Sequence, residues 1–391
     1  MDNAGQFILS INFAMLLAIL SRRGFDNLAL KVVAVYANGG MRERTSDFLY
    51  KRSLQTLWIS IPILTLLWMA VLVARFLFPD SGFIQIWIFM APAVVFITIL
   101  GILSSSFQAL DRAVLAIFFQ AFGLNLAVIA ASLLGATTAG LLALAHCGAS
   151  IVLMIIGMCL LRRYLARLQE GGTKTELLHF DEVEMQNTAK AFWIVSIFQN
   201  LSIWGAYYVA SAVLEPTHLS SLVLAQQASL VITLVLQAVI LVYAPRFALM
   251  HRQGRIQDLE ALGRRAVVWI ALAVLPIAMV LTFYPIAVLS LFGDGLDEGA
   301  TALRILTVGQ FVNAITGPVG VILLMAGHER AVRNLLLAAV PASLCFAAIL
   351  GMAFGILGFA VSTAGTLIVT NILATFILRR TLGIYIHPFS R

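Results

Sequence analysis

The stretch that decides the fold is residues 5–36, GQFILSINFAMLLAILSRRGFDNLALKVVAVY, an apolar run with charged side chains near its middle. As one helix it would be about 48 Å long, against a hydrocarbon core of about 30 Å. A charged side chain inside the bilayer costs about 3 kcal/mol and usually faces protein or water. Three cations on one helix therefore predict a pocket for an anionic group. At helical spacing one stripe holds Arg23, Asn27 and Lys31, and the neighbouring stripe holds Arg22 and Asp26.

Two interpretations of these cations stand at this point. In the first, Arg22, Arg23 and Lys31 lie deep in the membrane and face a water-filled cavity. In the second, residues 5–21 span the membrane alone and the two arginines anchor the helix end at the headgroups. Gly24 would permit a bend beside them in either case.

The composition identifies a polytopic helical membrane protein. Of the 391 residues, 61% are hydrophobic and only 11% are charged, whereas soluble domains carry about 25% charged residues. The net charge of +7 comes from basic residues in short segments between apolar runs, as the positive-inside rule describes. We therefore expect no nucleic-acid partner.

Eleven apolar segments of spanning length follow one another along the chain. A polar linker, residues 162–190, separates an N-terminal bundle, residues 1–161, from a C-terminal bundle, residues 191–391. The alternation of basic and acidic connections places the N-terminus outside and the C-terminus in the cytoplasm. Residues 42–52 are predicted to form a basic loop. The predicted spans are 5–36, 55–78, 84–107, 113–135, 140–161, 191–214, 220–243, 266–292, 300–326, 334–354 and 356–378.

The two bundles share a sequence pattern. In each, a basic residue precedes a span with a central proline, Pro62 or Pro276. A further span then ends at an acidic residue followed by Arg-Ala-Val, at 111–114 and 329–332. Both copies cross the membrane in the same order of directions. We therefore predict two bundles of five and six spans, related by a parallel internal repeat around a central cavity, which is a known transporter plan.

The sequence lacks the motifs of the common membrane-associated chemistries. It contains no nucleotide-binding P-loop and no HExxH or other spaced metal-ligand cluster. His146 is alone in its span and is predicted to be a packed core histidine. Cys147, Cys159 and Cys345 lie in apolar segments and are predicted to be buried apolar side chains. We expect no enzyme activity, no metal site and no cofactor.

Amides and aromatic side chains are the main polar groups within the later spans. Such side chains often hydrogen-bond neighbouring helices. They are also the groups that a sugar-binding cavity uses, because hydroxyls need donors and acceptors and sugar rings pack on aromatic faces. Both interpretations stay open on the sequence. The residues are Asn200, Trp204 and Tyr208, which share a helical face, and Gln226, Gln227, Gln310 and Asn313.

Residues 243–333 resemble the polysaccharide-exporter flippases of the multidrug/oligosaccharidyl-lipid/polysaccharide (MOP) superfamily. Residues 23–31, RGFDNLALK, are similar to the second helix of that family. The family's first helix has no counterpart here, so we expect either a start set too far downstream or an eleven-helix form. The clearest matching segments are APRFA at 244–248, QFVNA at 310–314, GPVG at 317–320 and GHER at 327–330.

The resemblance implies a flippase of the bacterial inner membrane. It would move an undecaprenyl-diphosphate-linked oligosaccharide for a surface polysaccharide such as O-antigen, by alternating access and without ATP hydrolysis. Arg22, Arg23 and Lys31 would hold the diphosphate, with Asp26 paired to Arg22, and the amide-bearing faces would meet sugar. The expected partners are this lipid-linked oligosaccharide, membrane lipid and other polysaccharide assembly proteins.

Three alternatives stay open. A cation-coupled multidrug exporter of the same superfamily would favour acidic and aromatic residues in its cavity. A membrane-embedded polysaccharide polymerase or ligase would carry a large outer loop with clustered Arg, His or acidic residues. A non-transporting scaffold of an assembly complex is compatible with the missing helix.

Overall fold

The fold is helical throughout the described part of the chain, which contains no strand. In lipid, every backbone N–H and C=O must find a partner within the protein, and continuous helices provide one for each. The all-α prediction is therefore confirmed. The computed structural model describes residues 2–38, 41–77, 82–136, 138–167, 182–293 and 295–386.

The described residues up to 167 form seven α-helices. A π-helical turn, Phe118–Phe122, joins the fifth helix to the sixth. The helices are α1 (Asp2–Arg22), α2 (Phe25–Asn38), α3 (Arg42–Leu77), α4 (Gly82–Ala109), α5 (Ala113–Ile117), α6 (Gly123–Leu133) and α7 (Ala139–Ala166).

The described residues from 182 onward form nine helices. They are α8 (Glu182–Ala210), α9 (Pro216–Ser229), α10 (Val231–Arg252), α11 (Ile256–Phe283), α12 (Pro285–Ser290), α13 (Gly299–Thr316), α14 (Val319–Met325), α15 (Glu329–Phe354) and α16 (Ile356–Leu382).

The helices account for the predicted spans. Among the described residues, eight helical segments are long and apolar enough to cross a membrane, and two bent pairs raise the number to ten. Residues 191–210 of the remaining predicted span, 191–214, lie in α8. This helix is not among the ten, because amides such as Gln199 and Asn200 lower its hydropathy. The chain is a multi-pass membrane protein with two helical bundles.

Helix α3 differs from the sequence prediction at its start. The predicted basic loop at 42–52 is instead the first part of α3, because nothing between Arg42 and the apolar span interrupts helical hydrogen bonding. The outer surface of α3 is strongly apolar, with Trp58 75% and Phe76 89% exposed. Such a surface suits acyl chains and would be unfavourable in water.

The chain forms two compact units. The N-terminal unit comprises Ser10–Ile197, and the C-terminal unit comprises Phe198–Arg391 together with Met1–Leu9. The predicted division at residues 161 and 190 stays a prediction. Most of the predicted linker, residues 168–181, lies outside the described residues, as do residues 78–81 and 294.

Each unit has its own apolar core. In the N-terminal unit, the rings of Phe107 and Phe119 stack with centroids 5.3 Å apart, and both are buried with Leu28. Pro92 inside α4 cannot donate to the carbonyl of Ile88 one turn earlier, and the indole N–H of Trp68 donates to that carbonyl at 2.9 Å instead. This bond ties α3 to α4 at the proline.

In the C-terminal unit, α8, α9, α13 and α16 surround one core. Tyr207, Leu222, Leu303 and Phe359 are fully buried there. A second cluster joins α10 to α11 through side chains such as Ile232 and Ile270.

Candidate functional site

The predicted single helix over residues 5–36 is two helices, α1 and α2, separated by a sharp break. Arg23 and Gly24 both have positive φ, 52° and 77°, so helical hydrogen bonding stops at Arg22 and resumes when Leu28 N–H bonds Gly24 O at 3.0 Å. Gly24 adopts this conformation freely. Arg23 does so at a cost of about 1–3 kcal/mol, and such strain concentrates at functional sites.

The break changes which polar residues share a face. Arg23 lies between the helices, so only Asn27 and Lys31 remain one above the other on α2. We call this region the polar break. It comprises Arg22, Arg23, Gly24, Asp26, Asn27 and Lys31.

Helix α8 holds the polar break in place. A Cβ added at Gly24 would lie 2.1 Å from the carbonyl oxygen of Ala189, so only glycine fits. The indole N–H of Trp193 donates to Leu20 O at 3.1 Å, a carbonyl of the last turn of α1 that lacks a helical partner. The Asn27 amide donates to Ser196 Oγ at 3.0 Å. One turn of α8 after another thus contacts the break.

Arg22 and Asp26 form a buried ion pair. Their side chains are 8% and 12% exposed, and the guanidinium lies 3.1 Å from the carboxylate, as the sequence predicted. Arg22 also donates through Nε to Ala18 O at 3.2 Å and contacts Met15 Sδ at 3.5 Å. These contacts use three of the five N–H donors of an arginine.

Glycine on α4 makes room for this pair. A Cβ added at Gly101 would lie 1.8 Å from an Arg22 terminal nitrogen and 2.5 Å from its Cζ. The guanidinium therefore lies directly against the α4 backbone. Asp26 is also in the first turn of α2, where the helix dipole favours a negative charge.

The remaining charges of the polar break are positive and uncompensated. Arg23 is exposed and Lys31 is half-buried. Among the described residues neither makes an ion pair. Since Asp26 neutralises Arg22, the region keeps two net positive charges.

A second buried cation, Arg52, lies next to the polar break and was not predicted from the sequence. It is 7% exposed, pairs with Glu182 at the start of α8, and lies over the rings of Phe25 at 5.3 Å and Phe48 at 5.8 Å. The hydrogen bond from Arg52 lowers the pKa of the Glu182 carboxyl. The sequence does not distinguish Arg52 from the other basic residues of 42–52, none of which is buried.

The polar residues predicted in the C-terminal unit are mostly bonded between or along helices. The Tyr208 hydroxyl lies 3.5 Å from Asn200 Oδ1 on the same face of α8, as predicted, and Trp204 is buried nearby. Gln310 accepts from Thr233 at 2.8 Å. Asn313 accepts from Asn371 at 2.9 Å.

The C-terminal unit also contains a buried hydrogen bond between two polar side chains that the sequence did not predict. The Tyr207 hydroxyl donates to Gln226 Oε1 at 2.8 Å, and both residues are fully buried. Gln227 beside it is half-buried. Gln310, Asn313 and Gln226 thus each bond a different neighbouring residue. Among the described residues predicted to contact sugar, the hydrogen bonds bring together Asn200 and Tyr208 alone.

His146 and the cysteines contribute no ligand cluster. Among the described residues no three His, Cys, Asp or Glu side chains come close enough to hold a metal ion. His146 is 2% exposed, as predicted. Cys147 is buried, but Cys159 and Cys345 are exposed, so the prediction for these two is wrong: they lie on helix faces that point away from the cores.

The comparisons with known proteins agree with this architecture. No protein-family model matches the sequence, and no match is found among curated proteins. Solved structures do match over almost the whole chain. An outward-facing multidrug resistance MATE family transporter of the MOP superfamily has a TM-score of 0.72 at 13% identity, covering 96% of this chain and 87% of that one. The chain has the fold of the MATE transporters.

Two further structures give the same result. An inward-facing multidrug resistance MATE family transporter has a TM-score of 0.71 at 11% identity, covering 97% of this chain and 91% of that one. The Vibrio cholerae MATE transporter VcmN in its bent form has a TM-score of 0.67 at 13% identity, covering 97% of this chain and 92% of that one. At these identities the likeness to MATE transporters concerns the fold alone.

Proposed function

We propose that this chain transports a lipid-linked oligosaccharide, carried on undecaprenyl diphosphate, across the bacterial inner membrane by alternating access. The likeness of its fold to inward-facing and outward-facing transporters supports a transport function. The charge of the polar break supports the anionic substrate. A transporter needs no chemistry of its own, in keeping with the expectation that the chain is not an enzyme.

The observation that carries the substrate proposal is the pair of uncompensated cations held at a strained, glycine-dependent break. A diphosphate offers several anionic oxygens, and charge-assisted hydrogen bonds to them are about twice as strong as neutral ones. Arg23 would bind two of these oxygens with its planar fork. Lys31 would supply a second positive charge.

Arg22 has a different part in this proposal. Its ion pair with Asp26 fixes the geometry of the break, and two of its N–H donors remain beyond the three contacts described above. Arg22 would add a hydrogen bond to the phosphate only after losing some of its burial. Asn27, which bonds Ser196, would position the helix and not the substrate.

The sugar would meet the C-terminal unit. Asn200 and Tyr208 offer an amide and a hydroxyl on one face of α8, where they bond each other. Trp204 on the same face is buried in the core and would offer its ring only after losing some of that burial, and Gln227 is half-buried. Gln310 and Asn313 would have to exchange their bonds to Thr233 and Asn371. Asn200 would likewise have to exchange its bond to Tyr208, so these amides rank equally as sugar contacts.

A cation-coupled multidrug exporter is the main alternative, because the names of the matching structures include multidrug resistance transporters. A cationic drug needs an available carboxylate. Among the described residues, Asp26 is the only buried Asp or Glu. It is already paired with Arg22. This pairing favours the anionic substrate.

The orientation in the membrane and the protein partners are also proposals. We propose that the N-terminus is outside and the C-terminus is in the cytoplasm, because basic and acidic segments alternate between successive spans and basic segments favour the cytoplasmic side. The likeness to transporter structures favours transport over the polymerase, ligase and scaffold alternatives, because none of these three functions needs a transporter fold. Partnership with other polysaccharide assembly proteins follows from the proposed substrate.

The test is translocation by the purified chain in proteoliposomes. A fluorescent undecaprenyl-diphosphate sugar should cross, and a cationic dye should neither cross nor compete. Lys31→Gln should slow translocation about tenfold, since it removes one charge-assisted contact. Lys51→Gln is the matched control, because Lys51 is exposed and pairs with Asp47. Transport of the dye alone, or equal effects of the two substitutions, would contradict the proposal.

A further inference from the structure

The end of the C-terminal unit folds back on itself after α16. Gly383 ends the helix in the left-handed conformation, with φ 69°. The next residues return across the unit, with Ile384 3% and Ile386 1% exposed. We call Gly383–Ile386 the C-terminal clasp.

Two glycines form the socket that receives the clasp. A Cβ added at Gly263 on α11 would lie 2.8 Å from Ile386 Cγ2. A Cβ added at Gly317, which follows α13 with φ 78°, would lie 2.3 Å from Val267 and 3.9 Å from Ile386 Cδ1. The clasp is therefore a packed element of the fold.

Polar contacts hold the clasp from the other side. The Tyr385 N–H donates to Glu260 Oε1 at 3.3 Å, and Glu260 also accepts from Arg264 at 2.9 Å. The guanidinium of Arg379, in the last turn of α16, lies 4.5 Å from the centroid of the Tyr385 ring. Among the described residues Arg379 makes no ion pair.

A pocket of about 350 Å³ lies between the clasp and α16. Its wall combines one uncompensated cation with hydroxyls and apolar side chains. Among the lining residues are Thr316, Ile372, Thr375, Phe376, Arg379 and Tyr385.

The pocket has a polar and an apolar end along α16. Ile372, Phe376 and Arg379 are spaced four and three residues apart and so share a helix face. Arg379 is in the last turn of this membrane-length helix, where we expect a basic side chain to reach the headgroups. Ile372 lies about 10 Å deeper at 1.5 Å per residue, and Ile372 and Phe376 are 56% and 58% exposed. This arrangement matches a phosphate joined to acyl chains.

We propose that this pocket binds an anionic phospholipid. Its phosphate lies against Arg379 and the Tyr385 hydroxyl, and its acyl chains follow Ile372 and Phe376. Basic pockets near helix ends bind anionic headgroups in the same way. The site is distinct from the proposed substrate site, because no residue that lines this pocket is among those proposed above to bind the transported substrate.

The test uses the purified full-length chain in a neutral detergent, titrated with dioleoylphosphatidylglycerol and followed by native mass spectrometry. Arg379→Gln should weaken binding about tenfold, as expected for one lost charge-assisted contact. Arg380→Gln should leave binding within about twofold. It is the matched control, since it removes the same charge from the same helical turn and Arg380 does not line the pocket.

Further ligands separate a lipid site from a phosphate site. Dioleoylphosphatidylcholine and glycerol phosphate should each bind at least about tenfold more weakly than phosphatidylglycerol, and Ile372→Asn should weaken phosphatidylglycerol without creating glycerol phosphate binding. Equal losses in the two arginine variants would overturn the proposal, and so would glycerol phosphate binding as tightly as the lipid.

Discussion

In the N-terminal unit, the polar side chains at the polar break are charged, and two of the cations have no ion-pair partner among the described residues. In the C-terminal unit, the side chains predicted to contact substrate are amides and aromatic residues, and Gln310 and Asn313 are bonded to Thr233 and Asn371. A side chain that is already bonded must lose that bond before it binds a substrate. This contrast supports the proposal that the strongest substrate contacts are those of the polar break.

The backbone shows the same contrast. Arg23 holds a left-handed conformation without being glycine, whereas the break between α13 and α14 uses Gly317 for its positive φ. Strain at Arg23 persists only because α8 and α4 hold the surrounding residues. This strain supports the proposal that the position requires the arginine side chain, because glycine would hold the same conformation without strain.

The largest effect should come from Gly24→Ala. The substitution adds a left-handed penalty of about 1–2 kcal/mol and forces a Cβ against the Ala189 carbonyl, so the purified protein should lose far more thermal stability than this penalty alone. Gly295→Ala is the control, since Gly295 has φ 78° and no atom lies within 4 Å of the place its Cβ would take. Equal losses in the two variants would show that α8 does not clamp the break.

The next effect should come from Asp26→Asn. It leaves Arg22 buried without a counter-charge, at a cost of about 3–5 kcal/mol, measured by chemical denaturation in detergent. Adding Arg22→Met should recover most of that loss. Asp47→Asn is the control, because Asp47 forms an exposed i,i+4 pair with Lys51 and should change stability by no more than about 0.5 kcal/mol. A small loss in Asp26→Asn would mean that Arg22 is solvated.

The smallest effect should come from the amide pair of the C-terminal unit. A double-mutant cycle of Asn313→Ala and Asn371→Ala should give a coupling energy of about 0.6 kcal/mol, typical of hydrogen bonds between membrane helices. Translocation should fall less than in the Lys31 variant. A loss of translocation greater than that caused by Lys31→Gln would move the main substrate contact to the C-terminal unit.

The sequence predicts the parts of this structure that depend on local patterns. Apolar length gives ten of the spans, and i,i+4 spacing gives the Arg22–Asp26 pair. Contacts between distant residues leave no such pattern. Gly101 against Arg22, Ser196 with Asn27 and Glu182 with Arg52 join residues separated by many tens of positions.

The sequence predicts one part of the break between α1 and α2 and not the other. Gly24 signals that a bend is permitted, but the left-handed conformation of Arg23 has no signature in the sequence. The same holds for the C-terminal clasp. The sequence does not show that Gly263 and Gly317 leave room for Ile386, which is distant from both in the chain. For the amides, sequence spacing found the Asn200 and Tyr208 face but not the partners that occupy Gln310 and Asn313.

The most direct measurement is the translocation rate of Arg23→Gly, set beside its thermal stability. Glycine relieves the left-handed strain, so the variant should be as stable as the wild type or more stable, by about 1 kcal/mol. Loss of the guanidinium should nevertheless abolish translocation of the undecaprenyl-diphosphate sugar, and Arg23→Lys should keep part of it. A stable Arg23→Gly protein that translocates at the wild-type rate would contradict the assignment of the diphosphate to the polar break.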